Sequence, residues 1–265
     1  MAAHPARPPR GARRRPPLGH PAASPGGGAV TPKGRAPGAA GGRAHRTGPL
    51  VALAVVCAAL FAAVSVVVAV RGGAPLPAEQ AAHDWSTAHR GQPWRSVARV
   101  LTATGTGPVP YLMAVLAGLL AGRGALGRFH AVICAVGALA VGQAIRYGLM
   151  ELIARPRPPA ADWAGPASGY SFPSGHSTTA VLAAGILVWG VRRYARRGTA
   201  RLWCALLALW AVAIGATRVY LGVHWPGDVL AGWLLATTVL ALALLAEPFV
   251  YSRRATARHP GTPSP

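Results

Sequence analysis

The segment TRVYLGVHWPGD, residues 217–228, places an arginine, a histidine and an aspartate between two long apolar runs. His224 and Asp228 are four residues apart, and Pro226 between them suits the first turn of a helix, so the next apolar run should begin there. A carboxylate in that turn can bond one nitrogen of the His224 ring, fix its tautomer and leave the other nitrogen free to attack. Arg218 adds a fixed positive charge. Each residue alone is better explained as a helix cap, an interfacial arginine or a packed histidine, but the three together favour chemistry.

A second group of polar residues, MELIARPRP, lies at residues 150–158. The prolines after Arg155 and Arg157 forbid continued helix and hold both guanidinium groups in an extended turn. That geometry suits contact with phosphate oxygens. An Arg-Pro pair on its own is weak evidence for such a site.

A third group, SFPSGHSTT, lies at residues 171–179. Ser174 is a good N-cap for the following apolar run, and the free backbone N–H groups of the next turn, beginning at Gly175, would bind an anion. His176 then projects over that anion. Taken by itself, this segment is explained equally well by a capping-region histidine bonded to a neighbour.

The composition predicts the setting of these groups. With 52% hydrophobic residues, 12% charged residues and several apolar runs near membrane-spanning length, the chain reads as an all-α, polytopic membrane protein. The net charge of +21 is dispersed in short clusters without interleaved aromatic residues, which argues against nucleic acid as a partner. Cys57, Cys134 and Cys204 fall in different apolar runs, so neither a disulfide nor a zinc site is predicted.

Three regions are predicted: a disordered, basic, cytoplasmic tail at residues 1–48, a six-helix transmembrane domain at 49–247, and a short basic cytoplasmic tail at 248–265. Between residues 71 and 107, Trp94, Val97 and Leu101 recur at helical spacing, which suggests an interfacial helix, with a solvated connector as the alternative. The six predicted spans are 50–70, 109–121, 129–150, 178–191, 202–216 and 229–246.

The distribution of arginine and lysine predicts the orientation. If the N-terminal tail is cytoplasmic, most basic residues fall in cytoplasmic segments, as the positive-inside rule requires. Both termini are then cytoplasmic, and all three polar groups face outward from the cell membrane.

Arg-Pro, Pro-Ser-Gly-His and Arg-x5-His-x3-Asp thus occur in this order on one side of a six-span chain. The sequence closely resembles the type 2 phosphatidic acid phosphatase family, which shares its site architecture with vanadium-dependent haloperoxidases. The resemblance covers about residues 71–246. It implies a lipid phosphatase with an extracytoplasmic site that needs neither metal nor cofactor.

The resemblance also implies a role for each matching residue. His224 would be the nucleophile that forms a phosphohistidine, with Asp228 as its orienting partner. His176 would protonate the leaving oxygen and then act as base for the water that cleaves the phosphoenzyme. The remaining matches would hold the phosphoryl oxygens: Arg157, Arg218, Ser174 and the Gly175 N–H.

Two positions depart from the family pattern. The lysine that normally opens the first motif is Met150 here, and the serine that opens the third is Thr217. Arg146 lies four residues before Met150 on the same helix face, so its long side chain could extend to the phosphate in place of the lysine. Pairing with Glu151 or a backbone carbonyl explains this arginine equally well.

The implied substrates are phosphatidic acid, phosphatidylglycerol phosphate or an undecaprenyl-type diphosphate, taken from the bilayer. One alternative is a phosphotransferase of the same family, in which an acceptor hydroxyl replaces water. Another is a non-catalytic lipid-phosphate-binding membrane protein. The sequence does not specify the oligomeric state.

Overall fold

The structure, a computed structural model, describes residues 41–256, and the side chains of residues 47–247. Over residues 41–256 the chain forms eight α-helices and one short 3-10 helix, Ala160–Asp162, without strands, so the predicted all-α class is confirmed. The helices are α1 Gly41–Val70, α2 Pro77–His89, α3 Trp94–Ala103, α4 Pro108–Ala121, α5 Gly124–Ile153, α6 Gly175–Tyr194, α7 Arg197–Tyr220 and α8 Pro226–Thr256. Residues 1–40 and 257–265 of the predicted tails lie outside the described residues, while α1 and α8 include residues 41–48 and 248–256 of those tails.

Helix α6 lies at the centre of the bundle and packs against α4, α5, α7 and α8, while α1 packs against α8. Small residues let these helices approach closely, as is common inside membranes. A Cβ atom on Gly190 of α6 would lie 2.5 Å from the carbonyl oxygen of Ala117 on α4. A side chain at that position would therefore push the two helices apart.

The number of membrane spans is supported only in part. Helices α1, α5, α7 and α8 are long and apolar enough to cross a bilayer, and α3 with α4 forms a fifth candidate that is bent by 49°. Alone, the 14 residues of α4 extend about 21 Å, less than the roughly 30 Å of a hydrocarbon core. Four or five spans therefore follow from length and apolarity, and six remain a prediction.

The polar stretch between α1 and α4 contains two helices. The predicted helix around Trp94 is confirmed as α3, whose Trp94 and Val100 are exposed. Its location in the membrane interface remains a prediction. Helix α2 was not predicted, because its sequence PAEQAAHDWSTAH shows no apolar stripe.

The ends of α5 and α7 and the beginnings of α6 and α8 meet at one end of the bundle. The Ser174 N–H donates to the carbonyl of Asp228 at 2.9 Å, which joins the first turns of α6 and α8. The Ser171 N–H donates to the carbonyl of Arg155 at 2.9 Å, which joins the segment after α5 to the segment before α6. These bonds bring the three polar groups of the sequence together.

Candidate active site

His224 occupies the tight turn between α7 and α8 and is 2% exposed. Helix α8 begins at Pro226, as predicted, which places Asp228 in its first turn. The Nδ1 atom of His224 lies 3.4 Å from Oδ2 of Asp228, and the Trp225 N–H donates to the same oxygen at 2.9 Å. The carboxylate is thus fixed by the backbone of the turn and faces the Nδ1 side of the ring.

Arg157 contacts the other nitrogen of this ring. Its Nη1 donates to Nε2 of His224 at 2.9 Å and to the carbonyl of Val223 at 2.8 Å. Its Nε and Nη2 donate to the three carbonyls of residues 168–170 at distances of 2.8 to 3.0 Å. Because Nε2 accepts a hydrogen bond, the proton of the neutral ring is assigned to Nδ1, facing Asp228.

Arg218, in the last turn of α7, is 2% exposed. Its Nη1 donates to Oγ1 of Thr102 on α3 at 3.1 Å and its Nη2 to the carbonyl of Pro166 at 3.4 Å, while its buried Nε has no hydrogen-bond partner. Thr102 was not predicted as a site residue, because its proximity to Arg218 depends on the packing of α3 against α7.

Arg146 on α5 is also buried, and its Nε also lacks a partner. Its Nη1 lies 3.1 Å from Sδ of Met150, the position of the missing lysine. A Cβ atom on Gly175 would lie 3.3 Å from Cζ of Arg146, so the guanidinium group faces the first residue of α6. Within residues 47–247 Arg146 forms no ion pair with Glu151. Its Cζ instead lies 3.6 Å from the centroid of the Tyr147 ring, and the contact of Arg146 with phosphate stays a prediction.

The start of α6 adds backbone donors to the cluster. The side chain of Ser174 accepts from the Ser177 N–H at 3.5 Å and caps the helix, as predicted. The N–H groups of Gly175 and His176 are at the open end of the helix, where no intrahelical acceptor exists. Nε2 of His176 lies 3.5 Å from Oγ1 of Thr106, a residue of the bend between α3 and α4 that the sequence did not single out.

Both histidines are neutral near pH 7. Burial lowers the pKa of His224 to about 4, and the charge of Arg157 adds to this effect against the opposing bond from Asp228. Burial, followed by the charge of Arg218, lowers the pKa of His176, which precedes the predicted span, to about 3. A neutral His224 can act as a nucleophile, whereas His176 can donate a proton only after an anion has raised its pKa.

Arg155 differs from the prediction. Its Nη1 and Nη2 donate to the carboxylates of Asp228 and Glu79, each at 2.7 Å, so both terminal nitrogens are engaged on the Nδ1 side of His224. The phosphate would bind on the Nε2 side, with Arg157. The contacts of Arg155 therefore do not match the predicted grip on phosphate, because two buried carboxylates compete for its charge.

Glu79 of α2 was missed by sequence reasoning. A local signal was present, since Pro77 followed by an acidic residue is typical of a helix start, and the Leu76 N–H does donate to Glu79 at 2.8 Å. The partner on the far side of the carboxylate, Arg155, is 76 residues away and could not be predicted from spacing.

Three arginines, two histidines and the start of α6 thus converge on one region. Within residues 47–247 no carboxylate forms an ion pair with any of the three arginines, Arg146, Arg157 and Arg218. Their positive charge is left to be neutralised by a bound anion.

Comparison with known proteins agrees with this geometry. Residues 131–251 match the sequence model of the PAP2 superfamily. Phosphatidylglycerophosphatase B of Escherichia coli K12 is 36% identical over 80 residues, which are 29% of this chain and 28% of that protein. Residues 131–251, just under half of the chain, are thus assigned to the PAP2 superfamily. The PAP2 segment contains every predicted site residue, whereas α2 and α3 precede it.

Two further similarities extend the comparison. An undecaprenyl-diphosphatase of Sulfolobus acidocaldarius is 38% identical over 79 residues, covering 29% of this chain and 34% of that protein. The alignments thus span about a third or less of these curated relatives. The crystal structure of a transmembrane PAP2-type phosphatidylglycerolphosphate phosphatase from Bacillus subtilis has the same fold, with a TM-score of 0.65 and 21% identity over 74% of this chain and 96% of that chain. With its apolar helices, this PAP2 chain is a multi-pass membrane protein.

Proposed function

We propose that this PAP2 protein is a lipid phosphatase that hydrolyses a phosphomonoester or diphosphate through a phosphohistidine at His224. One observation carries the proposal: Nε2 of His224, with Asp228 fixed at Nδ1, accepts from Arg157, and within residues 47–247 neither Arg157 nor the buried Arg218 forms an ion pair with a carboxylate. The names of the matched relatives, which refer to phosphatidylglycerophosphate and undecaprenyl diphosphate, support a lipid phosphate as substrate.

In the first step, Nε2 of His224 attacks phosphorus, so that a P–N bond forms while the bond to the leaving oxygen breaks. Nη1 of Arg157, which lies 2.9 Å from Nε2, then donates its hydrogen bond to a phosphoryl oxygen instead and keeps its proton. Arg218, Arg146 and the Gly175 N–H stabilise the charge on the other oxygens. The leaving oxygen takes a proton from His176 and departs as an alcohol or a phosphate.

In the second step, His176 removes a proton from water, the oxygen attacks phosphorus, and the P–N bond breaks. His224 regains its lone pair and phosphate leaves. The role of His176 as an acid depends on the substrate: burial and then the charges of nearby arginines lower its pKa, and the negative charge of a bound phosphate raises it. The negative charge of the substrate thus favours the protonated form of His176, which then donates the proton to the leaving oxygen.

The site is proposed to face outward, with both termini cytoplasmic, on the arginine distribution of the sequence. The segments that carry the site residues all lie at one end of the bundle, so they all face the same side of the membrane. A lipid phosphate would then reach the arginines with its head group while its chains remain in the outer leaflet.

The test of this function is phosphate release by the purified protein from phosphatidic acid, phosphatidylglycerol phosphate and undecaprenyl diphosphate, with a metal chelator present. We expect release from at least one of them, unaffected by the chelator, because arginines supply the charge that neutralises the phosphate. Hydrolysis of a membrane-impermeant, short-chain lipid phosphate by intact cells would support the outward site. Failure with every substrate, or a requirement for added metal, would contradict the proposal.

Replacement of Arg146 by alanine is expected to lower kcat/KM about 10²-fold, the usual effect of losing one donor to the transition state. Introducing lysine at Met150 in that variant should restore part of the activity, because the 3.1 Å contact shows that the two side chains occupy neighbouring space. Thermal unfolding in detergent serves as the control. A loss of stability alone, with kcat/KM unchanged, would show that Arg146 is only a packing residue.

A further inference from the structure

Three buried charged side chains, Asp228, Arg155 and Glu79, form a continuous row that extends away from the proposed phosphate site. Oδ1 of Asp228 accepts from Nη1 of Arg155 at 2.7 Å, and Arg155 donates in turn to both oxygens of Glu79, at 2.7 and 3.2 Å. The relative exposures are 0% for Asp228, 1% for Arg155 and 6% for Glu79. Neither Glu79 nor Arg155 has a part in the reaction steps described above.

Glu79 and Arg155 together bond to the backbone at three positions. Its Oε1 accepts from the N–H of Gly227 at 2.9 Å and its Oε2 from the N–H of Leu76 at 2.8 Å, while Nε of Arg155 donates to the carbonyl of Gly73 at 3.2 Å. A Cβ atom on Gly227 would lie 2.5 Å from Oε1 of Glu79, so α2 is seated directly on the first turn of α8. That turn carries Asp228.

The row has a charge that suits the nucleophile. Asp228 and Glu79 share the guanidinium group of Arg155, so these three side chains carry a net negative charge on the Nδ1 side of His224. The three arginines of the phosphate site lie on the Nε2 side. Burial opposes the charge of Arg155, but the bonds to Glu79 and Asp228 outweigh it and raise the pKa of Arg155. Positive charge that develops on the imidazole as the P–N bond forms is therefore stabilised from behind.

We propose that Glu79 is a positioning residue for the reaction: acting through Arg155, it holds the carboxylate of Asp228 in place with its Oδ2 directed at His224. The inference rests on the proposed function of His224. Arg155 is assigned to this row rather than to the phosphate. Burying three charges is costly, and removing one member leaves the others uncompensated, so the row should respond sharply to single substitutions.

The first variant is Glu79→Gln. The amide keeps the size of the side chain, but its NH2 group must face an N–H group from which the carboxylate accepts a hydrogen bond in wild type. The contact that holds Arg155 in place is therefore weakened. We expect kcat to fall about 10- to 100-fold, the range seen when a residue that orients a histidine ligand is replaced, with KM nearly unchanged. Glu79→Asp keeps the charge and should retain more activity than Glu79→Gln.

The decisive measurement is the pH dependence of kcat/KM in Arg155→Met. Without the guanidinium, Asp228 and Glu79 are two buried carboxylates close to each other, so the pKa of Asp228 rises and activity is lost at a higher pH on acidification. Adding Glu79→Gln to Arg155→Met removes the like charge and should move this acid limb back toward lower pH. Two substitutions that acted only on packing would not show this reversal.

The other charged or titratable groups around Asp228 do not change in these variants. They are His224 in the same turn, Arg157 from the segment after α5, and His83 of α2, which stacks against Trp225 with the ring centroids 5.4 Å apart. A shift of the acid limb therefore reflects a change in the interaction among Asp228, Arg155 and Glu79 and not a change in the surrounding charged groups.

Glu247→Gln provides a matched control, since it breaks the ion pair between Glu247 and Arg193 at the opposite end of α6 and should leave the pH profile unchanged. If wild type is inactive on all lipid phosphates, the proposed function fails. If wild type is active and the Arg155→Met acid limb coincides with wild type, the positioning role is overturned. Should Arg155→Met not fold, Glu79→Gln with wild-type kcat and KM would overturn it equally.

Discussion

His224→Ala is expected to abolish both phosphate release and the phosphoenzyme, leaving no activity above the uncatalysed background. The ring supplies the atom that bonds to phosphorus, and within the described residues it alone combines a carboxylate at Nδ1 with an arginine at Nε2. No neighbouring side chain can replace both contacts. Rapid quenching in alkali, which preserves phosphohistidine, should trap labelled phosphate on the wild-type protein and none on this variant.

The other histidine should fail in a different way. His176→Ala removes the proton donor but leaves the nucleophile, so the loss of rate should be large for a lipid alcohol leaving group and small for an activated leaving group that departs without a proton. Comparing phosphoenzyme formation from the two kinds of substrate separates the roles. Turnover of His224→Ala near the wild-type rate, or identical behaviour of the two histidine variants, would contradict the proposed mechanism.

The parts of the site that could be predicted are those encoded locally. Pro226 at a helix start and Ser174 as an N-cap depend on neighbouring residues, and the structure shows both. The spacing of His224 and Asp228 likewise predicted a contact within one turn. These local signals predicted where α6 and α8 begin and that Asp228 lies near His224, whereas the hydrogen bond that joins the two helix starts depends on packing.

The parts that were missed depend on packing between distant segments. Arg155 has the same sequence environment as Arg157, each followed by proline, yet one bonds to Glu79 and Asp228 and the other to Nε2 of His224. No local rule separates them, because the difference arises from the seating of α2 on α8. The predicted span at residues 109–121 differs from the structure for a related reason: α4 is short and becomes long enough to cross a bilayer only together with α3, to which it is joined through a bend of 49°.

Asp228→Asn should leave the fold intact and lower kcat by about 10⁴-fold, by analogy with amidation of the aspartate in a serine protease triad. The structure gives a reason specific to this site. Oδ1 accepts from Arg155 at 2.7 Å and Oδ2 from the Trp225 N–H at 2.9 Å, so both carboxylate oxygens are needed as acceptors. An asparagine NH2 group must face either Arg155 or the turn that holds His224. Two hydrogen-bond donors would then face each other without an acceptor between them.

If the NH2 group takes the place of Oδ2, it faces Nδ1 of His224 and favours the tautomer with the proton on Nε2, which cannot attack phosphorus. If it takes the place of Oδ1, the positive charge of Arg155 loses one of its two carboxylates. The first orientation removes the reactive tautomer, and the second removes the negative charge that stabilises the imidazole as the P–N bond forms, so phosphoenzyme formation becomes slow while KM changes little. Two buried donors that face each other should also lower the temperature of thermal unfolding, without loss of the fold.

The matched control for this change is Asp162→Asn. Oδ2 of Asp162 lies 3.0 Å from Nε2 of His83, so the variant makes the same substitution in a second aspartate–histidine pair that has no part in the proposed reaction. We expect its kcat to remain near that of wild type. An Asp228→Asn protein that retained more than about a tenth of wild-type kcat would contradict the orienting role, since loss of the reactive tautomer alone should cost far more.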